Sequence, residues 1–182
     1  MPVKPLQSVA MGYVFIALYA RFNGYDAYAD PFGWLLVLIG ISKLPADLPS
    51  RGGVIYLGWL AGLVSIPLWV PAVIDALEDA DPSLAWAADL PQFGFGLLLC
   101  LSLSKAAEAD GDLRAANWLR MLVTAIAVVA VLPVLVFGGD IEELADPASL
   151  AVQIVYIVLV WLMFQYSGRL WAGAPMAEED AQ

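Results

Sequence analysis

The chain has 182 residues, of which 62% are hydrophobic, and its 18 Asp and Glu outweigh 8 Lys and Arg for a net charge of −10. A soluble domain is closer to half apolar, and here the excess is gathered into long runs rather than alternation, so the membrane class is the one that fits. There is no histidine, and Cys100 is the only cysteine, which excludes an intrachain disulfide, a cysteine metal site and any Ser-His or Cys-His nucleophile pair.

Six apolar segments follow in order. Segment one, Leu6 to Tyr19, comes after Lys4 and reads as a retained first helix, because no small-x-small cleavage site follows it. Segment two runs from Phe32 to Leu44 and segment three from Gly53 to Ile74. A short amphipathic piece, Ser83 to Asp89, is expected next, with Pro91 restarting the chain as segment four, Phe93 to Ser104. Segment five is Trp118 to Phe137 and segment six is Ala148 to Ser167. Segments three, five and six are each about 20 residues, enough to cross a bilayer at about 1.5 Å per residue. Segments two and four have only about a dozen apolar residues each, where spanning takes about 17 to 25. The expected fold is therefore all-α and transmembrane: a six-helix bundle with helices two and four short. Residues 1–172 form its single domain, and 173–182 a disordered cytoplasmic tail.

Charge orients the bundle. Lys4, Lys43, Arg51, Lys105, Arg114, Arg120 and Arg169 all fall on one side of six crossings, with Arg21 the exception. The alternate loops, 23–31, 75–92 and 138–147, carry carboxylates and no Lys or Arg. The positive-inside rule then places both termini in the cytoplasm, Trp118 and Trp171 near the inner interface, and Trp34, Trp69 and Trp86 near the outer one. The triplet Ala-Asp-Pro occurs at 29–31, 80–82 and 145–147, always in an acidic outer loop. Asp caps free backbone N–H groups and Pro fits the first helical turn, so each copy reads as a helix start.

The short segments carry the one functional pointer. If their acidic flanks complete the crossing, backbone must lie below the membrane surface, buried in protein or facing water. That arrangement would form an outward vestibule rimmed by Asp26, Asp30, Asp75 and Asp89, with Arg21 opposite, suited to cations. The bland alternative is local bilayer thinning or simple extension of both helices into the headgroup zone. Gly58-x-x-x-Gly62 is expected to serve helix packing within the monomer, and Pro67, Pro71 and Pro133 to kink segments three and five. The embedded polar residues are few: Gln153, Gln165, Thr124, Ser65 and Ser102. No acid or base stands at mid-depth in segments three, five or six, which weighs against proton relays and ion-coupled pumps.

Enzyme motifs fail on inspection. Asp110-Gly111-Asp112-Leu113-Arg114-Ala115 resembles the start of the CDP-alcohol phosphotransferase motif, but Ala and Arg are transposed and the acidic second half is missing. Tyr25-Asp26 and Gly138-Gly139-Asp140 resemble the intramembrane aspartyl protease pair, but the second departs from Gly-x-Gly-Asp and both Asp fall in outer loops. The stretch from Asp26 to Gly40, with Asp30-Pro31-Phe32-Gly33-Trp34-Leu35-Leu36 at its centre, resembles a helix start found in small multi-pass membrane proteins of bacteria. That resemblance implies a bacterial inner-membrane protein of unassigned function and supplies no catalytic residue. The expectation is a non-enzymatic accessory or interaction subunit without cofactor. Its partners would be the lipid bilayer and a membrane protein or a second copy of the chain. Nucleic acid is not among them, since the basic residues are scattered singly. A small channel or facilitator using the acidic vestibule is the alternative.

Overall fold

A computed structural model describes residues 4–17, 21–22, 25–26, 30–139 and 145–175. The described residues form seven helices: α1 (Pro5–Ala17), α2 (Asp30–Ser42), α3 (Arg51–Leu68), α4 (Pro71–Ala80), α5 (Pro82–Ala109), α6 (Leu113–Gly138) and α7 (Ala145–Tyr166). Between α1 and α2 lies a two-residue antiparallel ladder, β1 (Arg21–Phe22) with β2 (Tyr25–Asp26). A 3-10 turn, Leu170–Ala172, follows α7. Apolar stretches in α3, α5, α6 and α7 are long enough to cross a membrane: Arg51–Leu68, Trp86–Ala109, Leu113–Val134 and Asp146–Tyr166.

Three sequence expectations are revised. Segment three is two helices, because Pro71 lacks an N–H and disfavours helical backbone in the residue before it. Val70 is accordingly extended, and α4 starts afresh at Pro71. Segment four is not short. α5 runs 28 residues and keeps Pro91 in its interior; a proline is tolerated inside a membrane helix where neighbours and local adjustment satisfy the freed carbonyl. The second short helix is α1 instead, and α1 and α2 have 13 residues each. That is about 20 Å at 1.5 Å per residue, against about 30 Å of hydrocarbon. Pro67 and Pro133 stay within α3 and α6.

The two short helices pair with each other, antiparallel and backbone to backbone. A Cβ on Gly12 would lie 2.5 Å from the Gly33 carbonyl oxygen, and one on Gly40 would lie 2.7 Å from the Pro5 oxygen. Only glycine permits such an approach, which is how apolar helices associate when lipid gives no hydrophobic drive. The Ser8 hydroxyl donates to the Leu36 carbonyl across the same seam at 2.7 Å. Gly58 and Gly62 of α3 face this hairpin: a Cβ on Gly58 would lie 2.7 Å from Ile41 Cδ1, and one on Gly62 would lie 3.4 Å from Trp34 Cβ.

An aromatic cluster fills the centre. Tyr13 packs against Trp34, Phe95 and Tyr156 with ring centroids 6.3, 6.2 and 5.3 Å away, and Trp34 meets Phe95 edge-on at 5.5 Å. The Tyr156 hydroxyl donates to the Tyr13 carbonyl at 2.7 Å, tying α7 to α1. Trp34, expected at the outer interface, is 2% exposed and belongs to this core, because its face of α2 looks inward over Gly62 and Phe95. The three Ala-Asp-Pro copies sit at helix starts. Asp30 is the first residue of α2, Asp81 precedes Pro82 at the start of α5, and Asp146 is in the first turn of α7.

Candidate functional site

Of the five vestibule residues, the side chains of Arg21, Asp26 and Asp30 lie outside the described part of the structure. Arg21 and Asp26 are register partners in the short ladder. Asp30 begins α2, while Asp75 of α4 and Asp89 of α5 are both exposed. Neither Asp75 nor Asp89 lines the cavities between the described residues. The paired-short-segment premise of the vestibule holds for α2 and fails for α5.

A polar cavity between elements lies at the opposite, basic end. It measures about 350 Å³ and is walled by the Pro45–Pro49 loop, by Lys105, Ala109 and Asp110 at the end of α5, and by Leu170 and Trp171. Each wall has a local cause. The Arg51 guanidinium reaches back to the end of α2, with Nη2 donating to the Ser42 carbonyl at 2.8 Å and Nε to the Leu44 carbonyl at 3.3 Å. Those carbonyls have no helical partner, so a forked donor beside them fixes the loop that follows. Gly173 takes a left-handed φ of 81°, and a side chain there would press on Pro45 and Pro5, 3.1 and 3.2 Å from its Cβ.

Trp171, like Trp34, is turned into the protein. Expected at the inner interface, it is 8% exposed and packs on Tyr166 at 5.6 Å. The 3-10 turn folds it under the bundle rather than out to lipid. Its indole Nε1 is buried without a hydrogen-bond partner among the described residues.

A second cavity, about 30 Å³, lies in the bundle interior between Tyr13, Gln92, Gly96 and Tyr156. The Tyr13 hydroxyl is buried without a described partner, 3.8 Å from where a Cβ on Gly96 would stand. The volume suits about one water. Elsewhere the core is apolar. The buried polar residues among those described are Ser8, Ser65, Ser102 and Ser104, and each hydroxyl donates to a backbone carbonyl. Cys100 is also buried. Among the described residues, no three His, Cys, Asp or Glu side chains stand close enough to hold a metal ion.

Compared with known protein families, with curated proteins and with solved structures, the chain matches none of them. The fold and its surfaces are therefore the basis for any functional reading. The basic-end residues had weak signals in sequence: two prolines four apart at Pro45 and Pro49, and a tryptophan set just beyond the last apolar run.

Proposed function

We propose that the chain is a non-enzymatic integral protein of a bacterial cytoplasmic membrane, acting as an accessory or interaction subunit. The α1–α2 hairpin would count as two passes beside α3, α5, α6 and α7, with both termini cytoplasmic. The observation that carries the reading is the interior. No Asp, Glu, Lys or Arg is buried among the described residues, and the four buried serines spend their hydroxyls on backbone. Proton relays and ion pathways put titratable or water-facing groups inside the membrane, at a cost borne because the function needs them. A core of Tyr13, Trp34, Phe95 and Leu99 favours rigidity over passage. The polar, shaped surface is instead at the basic end, where Lys105, Asp47 and Asp110 surround a cavity open to a partner.

The test is purification in mild detergent with chemical crosslinking, followed by reconstitution into liposomes. A stoichiometric complex with a membrane protein, or a defined homo-oligomer, supports the reading. A chain that stays monomeric and conducts cations in liposomes overturns it and favours the facilitator. In that case Asp26→Asn and Asp89→Asn, alone or together, must change cation flux, because the facilitator reading depends on those carboxylates.

A further inference from the structure

The end of α7 and the start of α6 enclose a basic, tryptophan-walled cleft. Arg114 and Trp118 on α6 face Trp161, Gln165 and Arg169 on the α7 side across a cavity of about 110 Å³, which Asp112 also lines. A broader depression beside it shares Arg114 and Trp118 and continues down α6 to Met121. Charge in the cleft is accounted for group by group. Asp112 Oδ1 accepts from the Ala115 N–H at 3.1 Å, capping α6. Its Oδ2 is buried, 3.7 Å from Arg169 Nε. Arg114 makes no ion pair among the described residues, and the Arg169 side chain is 57% exposed. Two guanidiniums against one carboxylate leave a single net positive charge directed outward.

Depth is matched on both helices. Trp118 comes five residues after the first residue of α6, and Trp161 five before the last residue of α7. In an antiparallel pair the two Cα atoms therefore lie about 7.5 Å below the helix ends. Trp161 is 53% and Trp118 41% exposed, and both rings line the cleft. Tryptophan at that level and arginine just above it is the pattern of a membrane interface, with guanidinium at the phosphate and indole at the glycerol region.

We propose that this cleft binds the phosphate of a monoanionic phospholipid. The Arg114 and Arg169 guanidiniums clasp the phosphodiester, Gln165 donates from the side, and Trp118 and Trp161 flank the glycerol. One acyl chain follows α6 past Met121. Basic pockets between membrane helices on the cytoplasmic side recognise anionic head groups in this way. A zwitterionic ethanolamine head would need a free carboxylate oxygen for its ammonium, and both Asp112 oxygens are already engaged or covered. The site does not depend on the accessory-subunit reading.

The test is native mass spectrometry of the full chain in mild detergent, titrated with dioleoyl phosphatidylglycerol, phosphatidylethanolamine or phosphatidylcholine. One phosphatidylglycerol should be retained in preference to the other two. Arg114→Gln and Arg169→Gln should each lower its occupancy about fivefold, the factor expected for one cation near a membrane surface. Lys43→Gln, an exposed cation outside the cleft, should leave occupancy unchanged, and millimolar inorganic phosphate should not displace the lipid. Equal retention of all three lipids, wild-type occupancy in both arginine variants, an equal loss in Lys43→Gln, or displacement by phosphate overturns the proposal. If either arginine variant misfolds, the wild type decides. In phosphatidylcholine nanodiscs, bromine-labelled phosphatidylglycerol must quench tryptophan emission more than equally labelled phosphatidylcholine does. That excess must shrink in Trp118→Phe, and its absence overturns the proposal.

Discussion

In the α1–α2 hairpin two backbones meet closely at glycines; α6 and α7 instead line a cleft at one end with two tryptophans. The hairpin is 13 residues on each arm and carries Leu6, Val9, Ala10, Tyr13, Trp34, Val37 and Ile41 almost fully buried. α6 and α7 are 26 and 22 residues long, and only 17% of the apolar stretch of α7 is buried. Val128, Val131, Ile154 and Ile157 are all more than half exposed. Lipid solvates an exposed valine as well as a neighbouring helix does, so long helices need no tight partner to remain in a membrane. A helix too short to span has no such freedom, since its ends require protein around them. The hairpin is therefore interior and sensitive, whereas α6 and α7 bury one face, with Leu119 and Leu162 in the core, and are free to present the other.

The sharpest break of this contrast is a matched pair of tryptophan truncations. Trp34→Ala opens a hole inside the Tyr13–Phe95 cluster and should cost about 3 kcal/mol, the lower end for a buried aromatic because lipid replaces water outside. Trp161→Ala removes a ring that is 53% exposed and should cost less than about 1 kcal/mol. Reversible unfolding in mixed detergent and SDS measures both. Equal losses would dissolve the distinction between the two regions.

Next come the glycines. Gly12→Ala sets a methyl 2.5 Å from the Gly33 oxygen and 2.9 Å from the Val37 nitrogen. Backbone cannot step aside as a side chain can, so the loss should be about 2 kcal/mol. Gly94→Ala in α5 meets nothing nearer than Leu57 at 3.7 Å and should gain up to about 1 kcal/mol from helix propensity. The same unfolding assay separates the two by sign.

How much of this was legible beforehand depends on whether the signal was local or relational. Apolar run length carried the membrane class. Asp-Pro carried the starts of α2, α5 and α7. What failed was the reading of proline: Pro71 ends a helix and Pro91 does not, and the two residues look alike in sequence. The difference is tertiary, since α5 packs along α6 on both sides of its proline, with Trp86 Nε1 donating to the Ala130 carbonyl at 3.1 Å. The hairpin was illegible for a similar reason. Gly12, Gly33 and Gly40 lie on two helices and form no motif in either, whereas Gly58-x-x-x-Gly62 lies on one. Trp171 was misplaced because a tryptophan just past a helix reads as an interface anchor, and only the turn at Gly173 folds it inward.

A subtler probe lies at the end of the hairpin. Arg51→Lys keeps the charge but loses the fork that reaches both Ser42 and Leu44. The expected loss is about 1 kcal/mol, the net size of one ordinary hydrogen bond, since Lys can keep the other. Hydrogen exchange should quicken in the Pro45–Pro49 loop and not in α7. Uniform quickening would mean that the loop is coupled to the whole bundle rather than to the hairpin alone.

The smallest effect belongs to the junction of α4 and α5, far from both regions. Asp81 Oδ1 accepts from the Ser83 N–H at 2.8 Å, and that bond holds the carboxyl below its usual range. The ionised form is thus preferred in the folded chain. Its contribution is complete above the unfolded value, near pH 4, and fades as pH falls through the lower folded one. Amide exchange at Ser83 and Leu84, corrected for the intrinsic pH dependence, should therefore rise only below about pH 4. In Asp81→Asn, whose neutral amide oxygen can still accept the bond, that rise should vanish; in Asp81→Ala exchange should be fast at every pH. Hairpin amides should not respond to either change. A response there would mean that the α4–α5 junction and the glycine seam unfold as one unit, and the contrast between a sensitive interior and a free periphery would have to be redrawn around α5.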